Sequence, residues 1–282
     1  MGVTRSGVRY CVEAWLVADP RRELGADIAS DAVAGLVIDV PDVLYDATLW
    51  RRWLVRLLTR LNPSINYTTF FQAWDRDYLA DVHCGRREFS EAFQSFLLLA
   101  GLSWAQIDEI EAASRLRRQN FEQNARPLPG VVKTMTRLDS LGLRILAWAD
   151  APHSGARLAE RLERLGLTNR FAGVLTSFDL ELAQPSAACY LAALESLDLP
   201  AGQTLYVGHD ARHLAAAGAL GMRTAAFNSQ PDARADFYLL RFEDLLPLVE
   251  ARIALPGLAC DKPAESQLRW NTTSLFSQGS CR

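Results

Sequence analysis

A chain of 282 residues, 49% hydrophobic and 22% charged, can bury a large core and is long enough for one core domain carrying an insertion. No run of about 18 consecutive apolar residues occurs, which argues against a membrane span, and a net charge of -3 with dispersed basic residues lacks the footprint of a nucleic-acid binder. The five cysteines, Cys11, Cys84, Cys189, Cys260 and Cys281, form no C-x-x-C pair, so reduced thiols are expected rather than a disulfide framework or zinc cage. The start of the chain carries no sustained apolar segment of the secretory kind, so a cytoplasmic location is expected.

Residues 1–33 have no clear period and read as an N-terminal extension. Gly35-Leu36-Val37-Ile38 is a short apolar run ending at Asp39, the pattern of a buried parallel strand that stops at a functional edge. Four helical segments follow with no strand between them: Thr48 to Leu61, Thr69 to His83, Ser90 to Leu99, and Trp104 to about Asn124. In the first two, Trp50, Trp53, Leu54, Leu57, Leu58 and Leu61, then Phe70, Phe71, Trp74, Tyr78 and Val82, recur at three- and four-residue steps, as an amphipathic helix requires. Core packing is therefore expected for Trp50, Trp53, Trp74, Trp104 and Trp148. Ser103 and Gln106 have the spacing of a capping box.

A β/α alternation then resumes. A helix to Leu141 is followed by Gly142 and a strand Leu143 to Trp148, helix 154–165, strand Gly173 to Thr176 and helix 186–197. Strand Thr204 to Val207, helix 211–220, strand Thr224 to Phe227, a short strand Tyr238 to Arg241 and helix Glu243 to Ile253 complete it. The expected fold is α/β, a Rossmann-like doubly wound parallel sheet with an inserted α-helical cap. The expected boundaries are a core of 34–46 and 127–254, a cap of 47–126 and a flexible tail of 255–282. In such sheets a ligand lies beyond the carboxyl ends of the strands, so Asp39, Ala149-Asp150, Ser177 and His209-Asp210 should converge there.

Four landmarks between Gly35 and about Ile253 resemble the haloacid dehalogenase-like (HAD) hydrolase superfamily. Asp39-Val40-Pro41-Asp42 is similar to the first motif, where the resemblance implies a nucleophile at Asp39 and an acid/base two residues on, here Pro41. Trp148-Ala149-Asp150 is similar to the second, with Ala149 at the position of a phosphate-binding Ser or Thr. Gln184-Pro185 is similar to a Lys-Pro segment, with Gln184 in place of the ammonium. Val207-Gly208-His209-Asp210-Ala211-Arg212-His213 is similar to the acidic motif that holds Mg²⁺, its two acids aligning with His209 and His213.

The resemblance implies descent from Asp-nucleophile phosphatases of small organophosphates, with a small-molecule substrate or ligand and ancestral use of Mg²⁺. Phosphoryl transfer needs an in-line carboxylate, a cation for the equatorial oxygens and an acid for the leaving alkoxide. Of the chain's two lysines, Lys133 lies on the helix leaving the cap and Lys262 in the tail, and neither can stand in for Gln184. Mg²⁺ prefers hard oxygen ligands, so histidine at its position disfavours it. Mg²⁺-dependent turnover is therefore expected to be weak or lost. The alternative is a non-catalytic protein binding a metabolite or a protein partner through the same cleft or cap.

A third reading is a rebuilt transition-metal site of His209, His213 and Asp39. Asp42 and Asp210 could serve as displaced acid and displaced metal ligand, although a one-residue slip at a strand edge turns a side chain away. Asp46 reads as a turn or cap residue leading into Thr48. His83 and His153 read as ordinary surface or core residues. Helix-surface solvation accounts for Arg51-Arg52, Arg86-Arg87, Arg115, Arg117 and Arg118.

Overall fold

The computed structural model describes residues 32–61, 65–168 and 170–252; the two terminal segments, with Cys11, Cys260, Cys281 and Lys262, lie outside them. Six parallel strands form one sheet in the order β3-β2-β1-β4-β5-β6, with β1 Gly35–Asp39, β2 Arg144–Ala149, β3 Gly173–Thr176, β4 Thr204–Gly208, β5 Arg223–Phe227 and β6 Phe237–Leu239. Every residue of β1 and β4 is buried, as expected of central strands covered on both faces. The chain reverses its direction of winding between β1 and β4, so the carboxyl ends of these two strands and of β2 frame a switch-point crevice.

One face of the sheet carries Leu36, Ile38, Ile145, Ala147, Leu205 and Val207 against Val131, Met135 and Leu138 of α6 (Val131–Asp139), Leu158 and Leu162 of α7 (Gly155–Arg164), and Leu245 and Val249 of α11 (Leu245–Glu250). The other carries Val37, Leu146, Trp148 and Tyr206 against α9 (Ala187–Leu197) and α10 (Ala211–Ala219). A four-residue helix, α8 (Ser177–Leu180), directly follows β3, capped by the Thr176 side chain, which accepts from the Asp179 N–H. Sequence periodicity cannot register so short a turn. The last strand and helix are also shorter than expected, and Phe242–Asp244 is a 3-10 turn.

The helices between β1 and β2 are α1 (Leu49–Leu61), α2 (Tyr67–Trp74), α3 (Ala80–His83), α4 (Phe89–Leu99) and α5 (Trp104–Gln123). The segment expected as one helix from Thr69 to His83 is interrupted by a π-helical turn at Asp75–Leu79. This turn follows Trp74, which is 1% exposed, stacked on Tyr78 with centroids 5.6 Å apart, and edge-on to Phe89 and Phe93. Leu54, Leu58, Phe71, Phe93, Leu97 and Ile107 complete a core separate from the two of the sheet. The capping box of Ser103 and Gln106 opens α5. Trp104 departs from expectation: it is 59% exposed, because the first residue of α5 precedes the face defined by Ile107, Ile110 and Ser114. Among the described residues, no helix is long and apolar enough to cross a membrane.

The inserted helices rest on the sheet domain through specific polar contacts. Ser177 Oγ donates to the backbone carbonyl of His83 at 3.2 Å, and Arg86 donates to that of Glu181 at 3.2 Å. Gly85, at φ +69, sits so close to Phe178 that a Cβ there would lie 2.8 Å from the ring.

Candidate active site

Asp39 ends β1 opposite Trp148 of β2 and is 3% exposed. Its Oδ2 faces two imidazole nitrogens, His209 Nδ1 at 3.5 Å and His213 Nδ1 at 3.7 Å. These separations make the contacts Coulombic: both Nδ1 atoms are buried without a hydrogen-bond partner. Each imidazole has a carboxylate on its far side. His209 Nε2 lies 3.8 Å from Asp42 Oδ2, and His213 Nε2 lies 4.0 Å from Asp210 Oδ1. Two Asp–His pairs thus converge on one carboxylate oxygen.

The backbone fixes this arrangement. His209 sits between β4 and α10, and Asp210 is the N-cap of that helix, its Oδ1 accepting from the N–H groups of Arg212 and His213. His213 lies one turn into the helix. Asp42 occupies the left-handed region at φ +59, which Asp tolerates better than most residues, and its Oδ1 accepts from Ala47 N–H at 2.7 Å. That turn brings the other oxygen toward His209, so the carboxylate of Asp42 is not turned away as strand alternation would have it. Asp46 fills the expected turn role, its Oδ1 accepting from both the N–H and the hydroxyl of Thr48.

Burial raises the cost of charge on Asp39, but the two imidazoles outweigh it and hold the carboxyl below the usual carboxylate range. Burial likewise opposes charge on His209, yet Asp39, Asp42 and Asp210 raise its pKa above the ordinary imidazole value. Asp42 moves upward through burial, against the pull of His209. Asp150, just beyond β2, is pushed up to about 6 by burial despite the charge of His213 and the N–H of Gln184. That N–H bonds both Asp150 oxygens at 3.2 Å.

The remaining motif positions are also at this edge. Ala149 is the last residue of β2 and is buried; its methyl offers no hydroxyl. Pro41 lies in the turn after Asp39, bridged to Tyr45, and has no ionisable group. Gln184 is 8% exposed; its Oε1 accepts from the hydroxyls of Tyr190 and Tyr206, each at 2.9 Å, while Nε2 is buried without a partner. Ser177, expected at this edge, turns its hydroxyl to Ala151 N–H and the His83 carbonyl. Lys133 is an exposed residue of α6.

Two residues read as ordinary belong here. His83, at the end of α3, is pushed down to about 3 by burial and by the charges of Arg51, His153 and His213, and burial also lowers His153. All four histidines of the chain therefore gather where the inserted helices meet the sheet. Arg51 is held bidentate by Asp75 at 2.6 and 2.8 Å. No periodicity in the sequence marks His83 or His153; their shared scarcity with His209 and His213 is the one signal available.

Mg²⁺ does not fit these donors. Nitrogen replaces both acids of the metal motif, Asp210 is committed to capping α10, and His209 spans the space between Asp39 and Asp42. Among the described residues no group of three His, Cys, Asp or Glu side chains is arranged to hold a metal ion; His209 and His213 lie at ion-pair distances from Asp39. Two surface grooves, near 390 and 670 Å³, lie elsewhere, between α1 and α5 around Trp53 and Arg117.

The haloacid dehalogenase-like hydrolase family model matches residues 33–221. A glyceraldehyde 3-phosphate phosphatase of Methanocaldococcus jannaschii is 27% identical over 132 residues, 44% of this chain and 57% of the relative, so the chain spans little more than half of that relative's length. Among solved structures, the 2-haloacid dehalogenase of Pseudomonas syringae pv. Tomato DC3000 superposes with a TM-score of 0.51 at 21% identity, covering 78% of this chain and 99% of that one. The L-2-haloacid dehalogenase of Xanthobacter autotrophicus with chloropropionic acid covalently bound gives a TM-score of 0.53 at 16% identity, covering 77% and 98%. These structures share the fold, and with two thirds of its length matched by the family model, the chain belongs to the haloacid dehalogenase-like hydrolases.

Proposed function

We propose that the chain descends from Asp-nucleophile phosphatases of small organophosphates and has weak or no Mg²⁺-dependent turnover, with 34–46 and 127–254 as the core, 47–126 as the cap and a cytoplasmic site of action. The observation that carries this reading is the position of His209, with an imidazole nitrogen facing Asp39 and another facing Asp42. It supplies positive charge beside the nucleophile where family chemistry would use a metal. The phosphatase resemblance over part of the chain supports a small phosphorylated substrate. Ala149 and Gln184 support the loss of the ordinary phosphate and cation contacts.

The same two replacements favour a second reading, a non-catalytic protein that holds a metabolite or a protein partner in this cleft. Hydrolysis of a panel of phosphate esters, with and without Mg²⁺, comparing wild type with Asp39→Asn purified in parallel, separates the two. Turnover abolished by Asp39→Asn supports the hydrolase; equal rates for both proteins on every ester support the binding role.

A further inference from the structure

We propose that Asp39 works without a metal, with His209, oriented by Asp42, as the acid and base of the reaction. The inference rests on the hydrolase reading above and assigns proton transfer to a residue outside the family's acid/base position, which Pro41 fills here.

The geometry separates the roles of the two imidazoles. His213 is set by α10, and its carboxylate partner Asp210 is bound by two backbone N–H groups of the helix. This pair is held in place beside Asp39 by the helix. Asp42 spends one oxygen on Ala47 N–H and keeps the other for His209 Nε2. The opposite nitrogen, Nδ1, is buried, lacks a hydrogen-bond partner and faces Oδ2 of Asp39. An imidazole with a carboxylate at ion-pair distance from one nitrogen and the other nitrogen facing the nucleophile is placed to move a proton beside Asp39. The His209 side chain is also the more exposed of the two, 22% against 13%; its Nδ1 is covered, and a phosphoryl group seated on Asp39 Oδ2 would lie beside it.

The chemistry balances without a metal. An Asp39 oxygen attacks phosphorus, the ester P–O bond breaks, and the leaving alkoxide takes the proton from His209 Nδ1. Nδ1 then takes a proton from water as its oxygen attacks the phosphorus of the aspartyl phosphate. The Asp39 O–P bond breaks, releasing inorganic phosphate and restoring both the carboxylate and the imidazolium. His209 keeps its Nε2 proton, which faces Asp42, throughout.

The test uses the full chain, with p-nitrophenyl phosphate and glycerol phosphate as probes. Wild type is expected to turn over both equally in EDTA and in Mg²⁺, with no thermal shift on adding Mg²⁺. His209→Asn should lose about 10²- to 10⁴-fold on glycerol phosphate, whose alkoxide needs an acid, and far less in the first step with p-nitrophenyl phosphate. On the latter probe the variant should accumulate a phosphoryl adduct on Asp39, seen by intact mass after acid quench, because its breakdown has lost the base. Asp42→Asn should show the same pattern more weakly, which covers the case in which His209→Asn fails to fold. Asp39-dependent turnover that EDTA abolishes and Mg²⁺ restores would overturn the inference alone. So would equal losses on both probes with no adduct. Absence of Asp39-dependent turnover and of any adduct in wild type overturns the hydrolase reading and this inference with it.

Discussion

Arg161 of α7 donates from Nη1 to the hydroxyl of Tyr45 at 3.0 Å, while Nη2 lies 3.2 Å from Glu122 at the far end of α5. One buried guanidinium therefore ties together the turn after Asp39, the sheet domain and the last inserted helix. Its own side chain is 11% exposed and that of Glu122 is 42% exposed. A hydrogen bond to a buried hydroxyl is worth more than one arm of an ion pair whose carboxylate is open to solvent. Arg161→Met should lower stability by about 2–3 kcal/mol, chiefly by leaving the Tyr45 hydroxyl buried without a partner. Glu122→Gln should cost under about 1 kcal/mol. Denaturant unfolding of the two variants checks the ranking, and equal losses would contradict it.

Gln184 is locked from behind by two tyrosines. Its Oε1 accepts from Tyr190 and Tyr206, and burial raises both phenols far above their ordinary range, so they remain donors. Restoring the family's cation with Gln184→Lys removes that acceptor and leaves two hydroxyls facing an ammonium. The Tyr190 hydroxyl can turn to the His213 carbonyl at 3.1 Å, so the loss should be about 1–3 kcal/mol, from the Tyr206 hydroxyl left without an acceptor, and Gln184→Glu, which keeps the acceptor, should cost less. Thermal melts of the two variants decide it. The Lys variant melting at the wild-type temperature would show that the tyrosines do not hold this position.

The strand ending at Asp39, the inserted helices and the position of Gln184 were legible in the sequence because apolar runs, helical periods and motif spacing are local signals. Asp42 was not. Strand alternation turns a residue at its offset outward, but the rule ends with β1; at φ +59 the chain folds back and the carboxylate comes inward. His83 and His153 were missed for another reason. One ends α3, the other follows β2, and they meet only because Ser177, Arg86 and Gly85 seat the inserted helices on the sheet. The exposure of Trp104 has a different cause: its spacing to Ile107, Glu111 and Ser114 puts it on the buried face of α5, but as the first residue it lies beyond the end of that face.

Trp74 anchors the core of the inserted helices, in contact with Tyr78, Phe89, Phe93 and Phe96. Trp74→Ala should cost about 3–5 kcal/mol through lost burial and the cavity left behind. This core shares no buried residues with the two of the sheet, so the loss should fall first on the inserted helices. Hydrogen exchange should speed up in α1, α2 and α4 while β1 and β4 remain protected. Uniform loss of protection across the sheet would count against that separation.

Asp150 and His83 should impose opposite pH dependences on stability. Asp150 rises from 3.8 to about 6 on folding through burial, so its contribution is full below about 4 and is lost as pH climbs through 6. His83 falls from 6.5 to about 3 through burial and the charge of Arg51. Its contribution is full above about 6.5 and is lost as pH drops toward 3. Between about pH 4 and 6 both titrate, and the two slopes oppose each other. Each is bounded by about 1.4 kcal/mol per pH unit, reduced by whatever solvent reaches the site. Asp150→Asn removes the falling component, so its stability relative to wild type should improve as pH rises from 4 to 6 and then level off. His83→Asn removes the rising component and should gain relative to wild type as pH falls through the same window. Urea midpoints taken at half-unit intervals give both difference curves, and the comparison with wild type cancels the titration of Asp39 and His209. Parallel curves for the two variants would mean that these groups do not carry the charges assigned to them.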